Sequence, residues 1–97
     1  MVLQNLTLIP RRPEAGKLMA SQVVVRRQGE LLRKGEVRCH GRIDGRRVTV
    51  LARDFRYGKA TCIWQLPAAA EGKLVNAVVV VRRGRGLAKA RFRAHVS

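Results

Sequence analysis

The sequence predicts a single all-β domain, residues 1–97, built from about seven antiparallel strands. Apolar and polar residues alternate with a period of two along most of the chain, which indicates strands with one buried and one solvated face. Glycine, proline and Asp-Gly turn signals separate these stretches at intervals of roughly ten residues. No segment carries a helical period longer than one turn. A β-sandwich is the favoured architecture, and a small barrel is the alternative.

Seven segments carry the strand pattern. In order, they are residues 3–9, 17–27, 35–43, 46–52, 59–66, 73–83 and 87–96. Asp44-Gly45 predicts a tight hairpin between the third and fourth segments, because a type I′ turn needs positive φ at both central residues. The stretch "RRGRG" at 82–86 falls where the last hairpin should turn. The stretch "RDFRYGK" at 53–59 is predicted to be a loop.

The alternation assigns residues to the core and to the solvent. We predict that Val37, Ile43, Trp64 and Phe92 point inward. On the third and last strands, the residues between the inward positions are basic, and they form one run on the solvated face of each strand. These are Arg38, His40 and Arg42, followed by Lys89, Arg91, Arg93 and His95.

The composition points to an anionic partner. The net charge is +15, with 21 Lys+Arg against 6 Asp+Glu. Such a chain is attracted to nucleic acid, to anionic lipid headgroups or to acidic surface polymers. The arginine excess is either functional, since guanidinium groups bind phosphate and carboxylate through two hydrogen bonds, or a compositional bias.

Eight residues are the candidates for polyanion binding. Five lie on the two basic strands, and three lie in the predicted loop, where two aromatic residues, Phe55 and Tyr57, stand among cations. They are Arg38, Arg42, Lys89, Arg91 and Arg93, with Arg53, Arg56 and Tyr57. The competing interpretation of the loop is that a ring there only covers the edge of the sandwich.

The two cysteines, Cys39 and Cys62, both fall on the inward phase of a strand. A metal site needs three or four suitable ligands, and His40 lies on the opposite face from Cys39, so no metal is expected. A reactive thiolate needs an exposed setting. The remaining interpretations are two buried thiols or a disulfide, which we favour. Closing a loop of about 24 residues stabilises a fold by roughly 3 kcal/mol.

Five short motifs cover much of the chain, namely "AGK" at 15–17, G-x-V-x-C at 35–39, G-x-A-T-C-x-W-x-L-P at 58–67, A-x-G-K at 70–73 and F-x-A-x-V at 92–96. Together they resemble bacterial extracellular immunoglobulin-like domains of actinobacterial-type surface and secreted proteins. The resemblance implies an immunoglobulin-like two-sheet sandwich with a Cys39–Cys62 bridge, and it does not imply a catalytic site. In antibody domains the tryptophan follows the first cysteine, whereas Trp64 here follows the second.

These observations favour a non-catalytic extracellular module, a spacer or accessory binding domain beside other domains of a parent chain. The alternative is an intracellular basic domain that binds nucleic acid. An enzyme is not expected, because two histidines and six carboxylates placed mostly beside turns supply few acid–base pairs. We expect no cofactor and no membrane span. The first 13 residues lack a basic n-region and contain Pro10, so they predict no signal peptide.

Overall fold

The computed structural model describes all residues, Met1–Ser97, and its fold is two antiparallel sheets packed face to face. Nine strands and one short 3₁₀ turn, Ala68–Ala70, make up the chain. The strands are β1 (Val2–Ile9), β2 (Leu18–Arg27), β3 (Glu30–Leu31), β4 (Glu36–Ile43), β5 (Arg46–Arg47), β6 (Thr49–Arg56), β7 (Lys59–Gln65), β8 (Leu74–Arg83) and β9 (Gly86–His95). No helix has the length and apolar character needed to cross a membrane.

The first sheet has the strand order β1-β2-β7-β6, and the two-residue β3 pairs with β2. The second sheet has the order β5-β4-β8-β9. With β3 set aside, this is the ABED and CFG arrangement of immunoglobulin constant-type domains, extended by one short strand beside the third. The prediction of an immunoglobulin-like sandwich is therefore confirmed.

A disulfide joins Cys39 of β4 to Cys62 of β7, and so it connects the two sheets. The Cα atoms of the two cysteines are 6.2 Å apart. In antibody domains the inter-sheet bridge joins the second and sixth strands instead, which correspond here to β2 and β8. The bridge in this chain thus connects a different pair of strands across the same core.

Trp64 organises the core beside this bridge. Its ring is fully buried, and its indole Nε1–H donates a hydrogen bond of 3.0 Å to the buried Ser21 Oγ. Phe92 approaches edge-on, with ring centroids 6.0 Å apart and planes at 83°. Val37 and Ile43 are buried in the same cluster. The polar atom of the largest core side chain is therefore satisfied inside the core.

Gly41 makes room for the tryptophan. It occupies a buried, inward position of β4, where a side chain would otherwise enter the core. A Cβ atom built at Gly41 would lie 2.8 Å from the Trp64 ring, closer than real Cβ contacts. Glycine weakens a strand interior, but here the missing side chain is what lets the indole ring fill the space between the sheets.

The alternation of residues 46–52 predicted one strand, but the structure has two. β5 ends at Arg47 in the second sheet, and β6 begins at Thr49 in the first. Val48 lies between them, and its backbone N–H donates to the Gly41 carbonyl at 2.8 Å. The chain therefore changes sheets at a single buried residue. Alternation continues across such a crossing because both sheets enclose the same core.

The predicted loop at 53–59 is wrong as well. Residues Arg53 to Arg56 belong to β6, and only Tyr57 and Gly58 form the turn to β7. β6 is the edge strand of its sheet, and most of its residues are exposed on both faces. An edge strand that buries so little lacks the apolar alternation by which the other strands are identified.

The other predicted turns agree with the structure. Asp44 and Gly45 have φ values of 51° and 76°, as the tight hairpin between β4 and β5 requires. The reversal within "RRGRG" falls at Gly84 and Arg85, between β8 and β9. The hairpin that joins β8 to β9 places β9 at the edge of the second sheet, so that β8 lies between β9 and β4.

A candidate polyanion-binding face

The outer face of the second sheet, hereafter the basic face, combines side chains from β4, β8 and β9. The register fixes which residues stand side by side, because directly opposed residues of antiparallel strands point to the same face. Arg38, Val80 and Lys89 form one line across the three strands, and His40, Val78 and Arg91 form the next. The third line is Arg42, Asn76 and Arg93.

The face therefore consists of three rows that run along the strands. The β4 row is Arg38, His40 and Arg42, the β9 row is Lys89, Arg91 and Arg93, and the β8 row between them is Asn76, Val78 and Val80. All six residues of the outer rows are exposed, while the two valines are half-buried. Since neighbouring strands are about 4.8 Å apart, the two basic rows are separated by about 10 Å.

A shallow depression spans the second and third of these lines. Its volume is about 690 Å³, and its lining includes Val78 with His40, Arg42, Arg91 and Arg93. The depression is open to solvent along its length rather than enclosed. Its floor is apolar or neutral and both of its sides are basic, a shape and charge suited to an extended anionic chain.

The basic rows are not neutralised from within the protein. The two ion pairs of the chain, Arg56 with Asp54 at 3.2 Å and Lys73 with Asp44 at 2.8 Å, lie outside both rows. Arg42 donates one hydrogen bond of 3.0 Å to the Gly45 carbonyl, which positions its guanidinium group beside the hairpin. Glu36 is the one carboxylate whose register places it on this face. The face therefore presents a local excess of unpaired cations.

Sequence reasoning missed two cations of this face. Arg47 of β5 stands directly opposite Arg42 and extends the third line across a fourth strand. Arg82 of β8 stands opposite Glu36, one outward position beyond Val80 and thus outside the β8 row. Neither belongs to an alternating basic run, so their membership becomes visible only when the strand order is known.

The structure does not bring all eight candidates together. Arg38, Arg42, Lys89, Arg91 and Arg93 share the basic face. Arg53 lies on β6 of the first sheet, but it lines one depression of about 380 Å³ with Arg38 where the edges of β4 and β6 meet. Arg56 is paired with Asp54, and Tyr57 is 78% exposed in the turn after β6. Arg56 and Tyr57 therefore belong to a separate region.

The outer face of the first sheet differs in charge. A row of apolar side chains crosses all four strands, formed by Ile9, Ala20, Ile63 and Ala52. The charged residues that the register places on this face are gathered toward one end of the sheet, and they are Arg26, Asp54, Arg56 and Lys59. This face has no counterpart of the parallel basic rows.

No protein-family model matches this chain, and no curated protein is similar enough to count as a relative. The functional inference therefore depends on the fold, the disulfide and the arrangement of charge.

Proposed function

We propose that the protein is a non-catalytic, extracellular immunoglobulin-like module that binds an anionic polymer across its basic face. The observation that carries this proposal is the pair of unneutralised basic rows on β4 and β9, with a depression between them. Six side chains in two rows can contact several charges of one chain at once. Contacts that engage together add avidity even where each exposed pair contributes little.

The extracellular assignment is supported by the Cys39–Cys62 bridge. Disulfides persist in oxidising compartments and are rare in the cytosol. A domain of 97 residues has a modest core, and a bridge between its sheets stabilises it outside the cell. The bridge, the sandwich and the sequence motifs together favour an exported module of a larger bacterial surface or secreted protein, in which it also serves as a spacer between domains.

Binding to a polyanion is tested by titrating the protein with inorganic polyphosphate at several salt concentrations. We expect binding at physiological ionic strength and a decrease in affinity of about tenfold or more between 50 and 200 mM salt, because several counterions are released. Failure to bind both polyphosphate and an acidic polysaccharide at about 150 mM salt would contradict the proposal, because isolated surface charges are largely screened at that ionic strength.

Nucleic acid is the second candidate ligand, because the same arginines complement phosphate groups. The placement of the aromatic residues speaks against it. Trp64 and Phe92 are buried, so the basic rows carry no Phe, Tyr or Trp ring on which bases can stack, and their one ring is the small imidazole of His40. Trapping the thiols of protein freshly isolated from its native source separates the two proposals. Oxidised cysteines support the extracellular module, and two free thiols support the intracellular alternative.

A further inference from the structure

We infer that the polymer is an acidic polysaccharide whose sugar rings lie over Val78 and Val80 while pendant anionic groups reach the two basic rows. This inference depends on the proposed function and specifies its ligand. It starts from the arrangement of the face, which is divided into rows rather than uniformly basic. Two basic rows flank a central row that contains no charge.

The separation of the basic rows selects where the ligand carries its charge. The rows are about 10 Å apart, so a charge held over the centre of the depression lies about 5 Å from either row. Linear polyphosphate carries its charge in its own spine, and it can approach only one row closely. A chain with anionic groups on both sides of its spine reaches both rows together, and its guanidinium contacts are bidentate with carboxylate or sulfate.

The central row determines which type of polymer backbone fits the face. Val78 and Val80 are half-buried and β-branched. Val78 lines the depression, and Val80 is the next outward residue of β8, between Arg38 and Lys89. A sugar ring presents C–H groups on its faces and projects its substituents sideways, so its apolar face can cover the valines while its carboxylates point outward. An extended acidic peptide fits less well, because with its side chains directed to the two rows its backbone N–H and C=O groups would face the valines without partners.

The test adds charge to the central row. Val78→Lys raises the net charge, so a face that acts only through its total charge should bind every polyanion more tightly. A sugar ring on the valine is displaced by the lysine side chain. We therefore expect Val78→Lys to weaken binding of a polygalacturonate hexasaccharide by about tenfold and to strengthen binding of inorganic polyphosphate.

Ile63→Lys is the matched control. Ile63 is also β-branched and half-buried, and it lies on the outer face of a central strand of the other sheet. This variant adds the same charge away from the basic face, so it should leave hexasaccharide affinity unchanged within about twofold. Val78→Thr keeps the shape and the fold but removes apolar contact, and we expect a loss of about threefold. Unfolding curves verify that each variant remains folded.

Each outcome decides between the claims. If Val78→Lys strengthens binding of the hexasaccharide as well as of polyphosphate, the inference is overturned while the proposed function stands. If neither polymer binds the wild-type protein at physiological salt, the proposed function itself fails. If oligothymidylate of equal charge binds more tightly than the hexasaccharide, the occupant is a nucleic acid and the polysaccharide assignment is wrong.

Discussion

The two sheets share the same alternating strand pattern, but their outer faces carry different types of side chain. Each sheet buries one face of its strands against the shared core, and each has central strands with regular alternation. The first sheet has an apolar row across its outward positions, and its outward charged residues, Arg26, Asp54, Arg56 and Lys59, are gathered toward one end. The second places arginine or lysine along the middle of β4 and β9, at Arg38, Arg42, Lys89, Arg91 and Arg93.

This difference shows which residues the fold does not require. The inward residues of both sheets are set by packing, whereas cations at outward positions add nothing to the core. Like charges directly opposite one another destabilise a sheet, and Arg42 faces Arg47 across β4 and β5. The uncharged β8 row keeps the two main basic rows apart and limits this repulsion. A surface that costs stability is easiest to explain by a ligand.

Of the substitutions proposed here, removal of the disulfide between the two sheets should change the stability most. The double substitution Cys39→Ala and Cys62→Ala should lower the free energy of unfolding by about 3 kcal/mol, because it releases a constraint on the unfolded chain. The bridge closes residues separated by 23 positions. Denaturant unfolding of the oxidised and doubly substituted proteins measures the difference. A loss below about 1 kcal/mol would mean that the bridge contributes little.

Gly41→Ala tests how the second sheet accommodates the tryptophan of the first. The new Cβ would lie 2.8 Å from the Trp64 ring, so we expect a loss of about 1–3 kcal/mol through overpacking. Combining it with Trp64→Leu should remove the clash. The double variant should then lose less unfolding free energy than the sum of the losses in the two single variants. Strictly additive losses would show that the ring does not depend on the glycine.

Arg47→Thr sharpens the contrast between the faces by a smaller amount. It removes the cation opposite Arg42 and should raise the free energy of unfolding by about 0.5 kcal/mol, while weakening polyanion binding. Arg56→Thr is the matched control on the first sheet, because Arg56 also faces a cation, Lys59, but is paired with Asp54. The control should not be stabilised. Equal stabilisation of both variants would contradict the account.

Period-two alternation predicted most strands, because burial of one face is recorded in consecutive residues. It failed at Val48 and at β6 for the reasons of geometry given above, a crossing between sheets and an exposed edge. The two basic rows were also predictable, since each follows one strand. The uncharged β8 row and Arg47 were not, because the sequence alone does not show that β8 lies between β4 and β9.

The central claim is that the basic face, and not the net charge of +15, binds the polymer. It is tested most directly by comparing two double variants. One carries Arg38→Glu and Arg91→Glu, and the other carries Arg27→Glu and Lys59→Glu. Each pair of substitutions removes two positive charges and adds two negative ones, which takes +15 to +11 in both proteins. All four side chains are exposed, and none takes part in an ion pair.

Affinity for polygalacturonate at physiological salt is the quantity to measure. We expect the first protein to lose about a hundredfold in affinity, and the second to stay within about threefold of the wild type, because contacts in the two basic rows are short-range and distant charge is screened. Equal losses in the two proteins would show that total charge alone governs binding, and the assignment of the basic face would then be wrong.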